Sequence, residues 1–286
     1  MKKVIVFGST GNLGKEIVRQ LVRQGFAVTA VVRNEATARR YFHDTVTYIT
    51  ADVCAPASLH SILHGQEIVI SALGKSVSPL DKSRPTFNEV DFTGNMNILN
   101  EAKRSAVKKF IYISAFHAER YPHLNYFNVH HDVSEQVKSS GIDFSIIKPP
   151  ALFSAFIDMM GMAKKGQLVT IGSGDHLTNP INEGDLAVIT VDSIQRSNCT
   201  IEAGGKTIYS RKELNEIVQR NVDPNKAVRS VPSGFFRLLL PMMKLFSRNS
   251  YDKFAFFLEV TQHDTIAPCY GTAIFEEYVR AKAQEL

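Results

Sequence analysis

Three glycines near the start of the chain are spaced so that the backbone can hold two linked phosphates. Gly8, Gly11 and Gly14 follow an apolar, strand-like run and precede an amphipathic helical pattern. Glycine permits a tight turn, close approach of the backbone to a pyrophosphate, and close packing of the helix on the strand. The free N–H groups and the dipole at the helix start attract phosphate charge. We therefore expect a dinucleotide site formed by Gly8, Ser9, Thr10, Gly11, Asn12, Leu13 and Gly14.

A basic residue stands where such a site meets the adenosine ribose. Arg33 ends the second strand-like run, 19 residues after Gly14. An acidic side chain at this point holds the 2′-hydroxyl of NAD, whereas an arginine accommodates the 2′-phosphate of NADP. A charge-assisted hydrogen bond contributes about 1.5–3 kcal/mol, which is about ten- to a hundredfold in affinity. The sequence thus predicts that NADP(H) is preferred over NAD(H), unless Arg33 is simply a solvated surface arginine.

Two further segments end strand-like runs on the side where the cofactor is expected. Asp52 and Val53 follow the third run and are expected near the adenine. Asp52 alternatively caps a helix that starts near Ala55, because aspartate favours that position. The residues after the fourth run are expected to lie along the cofactor, and they are Ala72, Leu73 and Gly74.

Short apolar runs alternate with amphipathic helical patterns through the first 150 residues. The runs lie at residues 4–7, 27–32, 46–50, 67–71, 110–114 and 144–147, and the helical patterns at 12–24, 35–42, 57–63, 88–103 and 129–139. This alternation is typical of a parallel sheet covered by helices on both faces. It predicts an α/β fold, a Rossmann-type doubly wound parallel sheet. Residues 1–150 are expected to bind NAD(P), and residues 151–286 to form a small, mostly helical substrate lobe packed on the sheet, with elements that complete it.

Together these segments resemble the atypical, extended-like short-chain dehydrogenase/reductases, in particular their NmrA-like, NAD(P)H-binding branch. The glycine loop, Arg33 and the strand ends described above carry the resemblance, with further similarity at 110–114, 140–150 and 179–187. The similarity is specific to about residue 190. It implies an NAD(P)-dependent oxidoreductase with a variable substrate lobe, whose active members use a serine and a Tyr-x-x-x-Lys pair.

The residues that match this catalytic set are Ser114, Tyr126 and His130. Ser114 ends the fifth run, and Tyr126 follows 12 residues later. The resemblance implies that Ser114 orients the substrate, that Tyr126 gives or takes the proton, and that residue 130 binds the nicotinamide ribose. One helical turn separates Tyr126 from His130, so both are expected to face the cofactor. The adjacent His131 is an alternative facing position.

A histidine occupies the position of the family's lysine, and this changes the expected chemistry. A free tyrosine has a pKa near 10, and a neighbouring lysine cation helps to lower it. A histidine of ordinary pKa is mostly neutral at pH 7. Oxidation of an alcohol needs the tyrosinate and is expected to be weakened. Reduction of a carbonyl or quinone needs a neutral tyrosine as proton donor and is expected to survive.

An unusually apolar stretch at residues 235–246 carries two basic side chains, Arg237 and Lys244. Its charges and Pro241 are incompatible with a membrane span. Three interpretations stay open. The stretch is a lid over an apolar or aromatic substrate, a helix in peripheral contact with a membrane surface, or core of the lobe with snorkelling bases.

Composition excludes several classes of protein. The 286 residues carry a net charge of +5, and the segment 226–253 alone accounts for that excess. A local basic segment without a readable motif predicts no nucleic-acid partner. The three cysteines are far apart and match neither a disulfide framework nor a metal spacing, which favours a cytoplasmic location and predicts no metal site.

Three functions remain in order of preference. The first is an NADPH-dependent oxidoreductase that reduces a small carbonyl, quinone or flavin-like acceptor. The second is an NmrA-like regulatory protein that binds NADP(H) without turnover and reports redox state to a protein partner. The third is a nucleotide-sugar epimerase or dehydratase. His130 argues against the third, because that chemistry needs a complete Tyr-Lys pair.

Overall fold

Seven strands of the described chain form one parallel sheet, which confirms the predicted α/β doubly wound Rossmann-type fold. The computed structural model describes residues 1–42, 45–76, 78, 81 and 83–286. The sheet order is β3-β2-β1-β4-β5-β6-β9, and all neighbouring strands are parallel. The strands are β1 (Lys3–Phe7), β2 (Ala27–Val32), β3 (Val46–Thr50), β4 (Ile68–Ser71), β5 (Lys109–Ile113), β6 (Asp143–Lys148), β7 (Val169–Ile171), β8 (Leu177–Thr178), β9 (Cys199–Glu202), β10 (Tyr209–Ser210) and β11 (Arg229–Val231).

Strand β1 shows why the central strands read as continuous apolar runs. Its last four residues are completely buried. Alternate side chains of a strand point to opposite faces of the sheet. Val4 and Val6 accordingly pack into the core on one face, and Ile5 and Phe7 into the core on the other. A strand covered on both faces has no polar alternation.

Helices cover both faces of the sheet. On one face α1 packs against α6, and Leu21 and Leu186 belong to the same core. On the other face α3 and α4 contribute Leu99 and Val133 to the second core. The helices are α1 (Asn12–Arg23), α2 (Glu35–Ala38), α3 (Asn95–Arg104), α4 (Asn125–Lys138), α5 (Ile157–Lys164), α6 (Glu183–Asp192), α7 (Arg211–Val222), α8 (Ser233–Phe246), α9 (Arg248–Val260) and α10 (Phe275–Ala283).

The strand order reverses between β1 and β4. The chain builds β2 and β3 on one side of β1 and then returns to β4 on the other side. The carboxyl ends of β1 and β4 therefore adjoin, with Phe7 paired to Ser71. In open sheets of this kind the ligand lies in the crevice outside the strand ends at such a reversal. The glycine loop leaves the sheet at this point.

The second half of the chain completes the sheet and also builds a core of its own. Strand β9 pairs with β6 at the edge of the sheet. Helices α5, α7 and α10 and the turn before α5 form a third core around Phe153, Leu214 and Phe275. Strand β7 pairs with β11, and β8 pairs with β10. The functional division of the chain at residue 150 stays a prediction.

Two local expectations near the third strand are wrong. The helix expected over 57–63 is a 3-10 turn over Pro56–Leu59 followed by irregular turns, in which Ser61 has a φ of 63° and breaks the helical path. Asp52 does not cap that turn, because its N-cap is Ala55 and no side chain bonds there. The Asp52 carboxylate instead accepts the N–H of Cys54 at 2.9 Å.

Candidate functional site

Close contacts shape the glycine loop in a way that only glycine allows. Gly8 has a φ of +73°, and a Cβ there would lie 2.4 Å from the carbonyl oxygen of Ala72. A Cβ on Gly14 would lie 2.0 Å from the carbonyl oxygen of Gly8. Gly11 is the N-cap of α1 and offers no side-chain bond to the first N–H groups of the helix. Those N–H groups are therefore available to a phosphate.

Two of the other loop residues have buried side chains and two have exposed ones. Ser9 is completely buried, and its hydroxyl donates to the carbonyl oxygen of Val31 at 2.8 Å. Leu13 packs into the core beneath α1. Thr10 and Asn12 are exposed. Ser9 and Leu13 can therefore offer a cofactor only their backbone, while Thr10 and Asn12 can also offer side chains.

The expected adenosine end of the site lies where β2 and β3 end. Arg33 is exposed, directly before Asn34, which caps α2 by accepting the N–H of Thr37 at 3.0 Å. Burial raises the pKa of the Cys54 thiol, as does the charge of Asp52, whereas Arg33 acts to lower it. Arg33 and Asp52 are thus both within electrostatic reach of Cys54. The backbone oxygen of Val53 accepts a hydrogen bond from the Asn97 side chain at 2.9 Å.

The segment after β4 forms the opposite wall of the crevice. The N–H of Ala72 donates to the carbonyl oxygen of Phe7 at 3.1 Å, so this segment follows the end of β1. Leu73 packs against the core beneath α3. A Cβ on Gly74 would lie 3.5 Å from the carboxylate of Asp91. The segment 72–74 therefore runs from the glycine loop to the carboxylate of Asp91.

The structure brings Ser114, Tyr126 and His130 into one region, between the end of β5 and helix α4. The Ser114 hydroxyl lies 3.0 Å from that of Ser134 and 3.4 Å from the carbonyl oxygen of His130. The half-buried ring of Tyr126 packs edge-on against His130, with ring centroids 4.6 Å apart. Burial raises the pKa of Tyr126 above its usual value, and the charge of Asp91 raises it further.

The two ring nitrogens of His130 have different surroundings. Its Nδ1 lies 2.7 Å from the Tyr112 hydroxyl, and its Nε2 lies 3.6 Å from the Asp91 carboxylate. That Nε2 is buried and has no hydrogen-bond partner within the described chain. Burial lowers the pKa of His130 to about 4. The ring is therefore neutral at pH 7 and cannot provide the positive charge of a lysine.

Asp91 is a buried carboxyl group that the sequence analysis missed. Asp91 is only 1% exposed. Burial raises its pKa to about 8, although the N–H of Lys75, at 2.9 Å, and the charges of Lys75 and Lys253 act in the opposite direction. The pattern did contain a signal. Asp91 and Asn95 are four residues apart and share the apolar side of the predicted helix with Ile98, where polar side chains are unusual.

Hydrogen bonds fix the backbone around Asp91. The Ser71 hydroxyl donates to the amide oxygen of Asn95 at 2.5 Å, and the Asn95 amide donates to the carbonyl oxygen of Asp91 at 2.7 Å. The segment Asn88–Gly94 is π-helical and runs directly into α3. π-helical turns are rare and are frequent at functional sites.

Helix α9 closes the region from the second half of the chain. The ring centroid of Phe256 lies 4.3 Å from that of Tyr126. Lys253, which is 2% exposed, donates from its Nζ to the backbone oxygen of Asp81 at 2.5 Å. The Asp81 carboxylate also lies 3.3 Å from the Nζ of Lys75. These contacts join α9 to the chain that follows β4, and Tyr126 packs among the rings of Phe87, His130 and Phe256.

The fold and this site define a Rossmann protein that binds a pyridine nucleotide. A family model described as NAD(P)H-binding matches residues 8–196. The chain belongs to this NAD(P)H-binding family. The match begins at the first glycine of the loop and ends after α6.

Comparisons with known proteins agree with this family. Photosystem II assembly factor Ycf39 of Synechocystis sp. is 22% identical over 263 residues, which are 89% of this chain and 78% of that protein. The NADPH-dependent quinone oxidoreductase QOR2 of Escherichia coli, complexed with NADPH, has a TM-score of 0.71 at 20% identity and covers 98% of this chain and 99% of its own. Triphenylmethane reductase of Citrobacter sp. has a TM-score of 0.76 at 16% identity over all of both chains. At these identities the structures show a common fold.

Proposed function

We propose that this protein is an NADPH-dependent oxidoreductase that reduces an apolar acceptor, a carbonyl compound, a quinone or a flavin-like molecule. The observation that carries the proposal is the neutral pair formed by Tyr126 and His130. Burial raises the pKa of Tyr126 and lowers that of His130 to about 4. No lysine stands at position 130 to stabilise a tyrosinate, so Tyr126 keeps its proton. A neutral tyrosine is a proton donor, which favours reduction.

The residues of the crevice fit the cofactor. The free N–H groups at the start of α1 would hold the pyrophosphate, and Arg33 would hold a 2′-phosphate. When bound, NADPH supplies a hydride. Tyr126 would donate the accompanying proton to the acceptor and regain a proton from solvent. Together the hydride and this proton would convert a carbonyl compound to an alcohol, a quinone to a hydroquinone, or a flavin to its two-electron reduced form.

The contacts of Ser114 and His130 favour positioning roles over direct contact with substrate or ribose. The Ser114 hydroxyl is already engaged by α4, through the Ser134 hydroxyl and the carbonyl oxygen of His130. His130 Nδ1 is engaged by Tyr112, and its Nε2 faces Asp91. We infer that both residues orient α4, so that Tyr126 faces the crevice.

The decisive experiment measures NADPH oxidation against a panel of quinones, aldehydes and flavins. Tyr126→Phe should remove most of the turnover while leaving NADPH binding nearly unchanged, because only the phenolic proton is lost. Tyr121→Phe is the matched control, since Tyr121 packs in the same apolar cluster without belonging to the catalytic set. Equal activity of Tyr126→Phe and the native protein would refute the proposed proton donor.

The preference for NADPH has its own test. Arg33→Ala should weaken NADPH binding about ten- to a hundredfold, the value of one charge-assisted bond, and leave NADH binding nearly unchanged. Arg40→Ala, a change at another exposed arginine after β2, is the control. Equal losses for both nucleotides would remove Arg33 from the 2′-phosphate site.

A second function is supported by the similarity to an assembly factor over 89% of this chain. In that case the protein binds NADP(H) and acts through a protein partner without turnover. Tight NADPH binding, with no oxidation in the presence of any acceptor of the panel, would favour this function. Turnover that depends on Tyr126 would exclude it.

A further inference from the structure

Helix α8 exposes an apolar surface that no other described part of the chain covers. None of its residues is buried. Leu238 is 76% exposed, Leu245 85% and Phe246 86%. The interpretation of this segment as lobe core is therefore wrong. We call the exposed set the α8 stripe, and it consists of Phe235, Leu238, Leu239, Met242, Leu245 and Phe246.

The helical repeat separates the α8 stripe from the side that holds the helix in place. At 3.6 residues per turn, positions 235, 238, 242 and 245 lie along one line of the helix. Phe236, Leu240 and Met243 lie on another side and are half-buried. Phe236 packs on Phe254 of α9, with ring centroids 5.8 Å apart. The helix is thus attached by one side, and the stripe points away from the protein.

The charged residues of α8 and of the chain on either side of it, over residues 228–251, are all basic. Residues 228–251 contain no aspartate or glutamate. The bases of this segment are all exposed, and they are Arg229, Arg237, Lys244 and Arg248. Each basic residue near an anionic membrane surface contributes about 1 kcal/mol of attraction. An apolar stripe of leucine and phenylalanine with bases on the polar side is the pattern of a helix that lies in a membrane interface.

Two other occupants fit less well. Two copies of this chain meeting through the stripe would bring their basic segments together, and like charges at an interface are unfavourable. The stripe also carries no hydrogen-bonding side chain that would select one protein surface. A membrane span is excluded as well, because no helix among the described residues is long and apolar enough to cross a bilayer.

We propose that α8 docks the protein on the surface of an anionic lipid bilayer, with the α8 stripe inserted at the boundary of headgroups and acyl chains. Leu240, on the inner side of α8, belongs to the same apolar cluster as Tyr126 and Phe256. The docking surface is therefore continuous with the wall of the site. Docking itself does not depend on the proposed function, since it needs neither cofactor nor acceptor.

The test is co-sedimentation with vesicles of phosphatidylcholine, with and without phosphatidylglycerol. The native protein should bind the vesicles that contain phosphatidylglycerol, and added salt should weaken that binding. The double variant Leu238→Glu, Leu245→Glu should bind at least tenfold more weakly, and Arg237→Ser, Lys244→Ser should lose the preference for phosphatidylglycerol. Val188→Glu, Ile208→Glu is the matched control, because both residues are exposed apolar side chains outside α8.

Unchanged thermal unfolding and NADPH binding would show that the variants are folded. The proposal fails if the native protein binds neither type of vesicle, or if the leucine variant binds as well as the control. It also fails if the native protein forms a dimer that the leucine variant does not form, because the stripe would then bind a second copy.

Discussion

The buried pair of Asp91 and His130 predicts a particular dependence of stability on pH. The pKa of Asp91 rises from 3.8 to about 8 in the folded protein, and that of His130 falls from 6.5 to about 4. Asp91 contributes stability that is fully present below pH 4 and is lost as pH rises to 8. His130 contributes stability that is present above pH 6.5 and is lost as pH falls to 4.

The two contributions oppose each other over part of the range. Between pH 4 and 6.5 the loss from Asp91 and the gain from His130 nearly cancel. Between pH 6.5 and 8 only Asp91 titrates, and 1.5 pKa units at 1.36 kcal/mol each correspond to about 2 kcal/mol. The native protein should therefore lose about 2 kcal/mol of unfolding free energy over that interval through this residue.

Asp91→Asn isolates this effect. The amide cannot ionise, and its oxygen can still accept the N–H of Lys75. The variant should gain about 3 kcal/mol from pH 4 to 6.5, because His130 then titrates alone over about 2.5 units, and it should lack the loss from 6.5 to 8. Urea unfolding at these pH values measures both intervals, and Asp175→Asn, at an exposed aspartate, is the control. If the difference in unfolding free energy between native protein and Asp91→Asn is constant from pH 6.5 to 8, the assigned pKa of Asp91 is wrong.

Two further predictions concern the local structure that holds the site and the lobe. Gly14→Ala should lower the unfolding free energy by at least about 2 kcal/mol and abolish NADPH binding, because its Cβ would lie 2.0 Å from the Gly8 carbonyl oxygen. Gly11→Ala is the control and should lower the unfolding free energy clearly less, because its Cβ would lie 3.2 Å from the same oxygen. Equal losses of the two variants in thermal unfolding would contradict the argument. Ser210→Ala removes the capping box in which the Ser210 hydroxyl accepts the N–H of Glu213. It should lower the unfolding free energy, measured in urea titrations, by about 1 kcal/mol. An unchanged unfolding midpoint would show that the cap contributes nothing.

The sequence predicted those parts of the fold that local patterns determine. The six strands expected before residue 150 all form, because strands buried on both faces leave continuous apolar runs. The helix expected over 57–63 did not form, because the chain leaves the helical path at Ser61, whose φ of 63° lies in the left-handed region. Strand β9 was not identified, because it is short, with only the four residues Cys199–Glu202, and only one of them is buried.

The sequence predicted the glycine turn of the candidate site, because few residues other than glycine can adopt that backbone. It did not predict the features of the site that depend on contacts between distant segments. The positions of Gly8 and Gly14 follow from the backbone geometry of the turn alone. The burial of His130 depends on Tyr112 and Asp91, which come from a strand and a π-helical segment far away in the chain. A periodicity of one helix indicates that His130 and Tyr126 share a side, but it does not indicate what packs against them.

The pairing of β9 with β6 limits how this protein can be divided or recombined. A chain cut after residue 150 would leave β6 with an unpaired edge and would strip α6 from the apolar side of α1. Unpaired edges recruit other chains into aggregates. An engineer who wishes to exchange the lobe that the second half of the chain builds must therefore retain α6 and β9 with the amino-terminal half and graft only the segments before and after them.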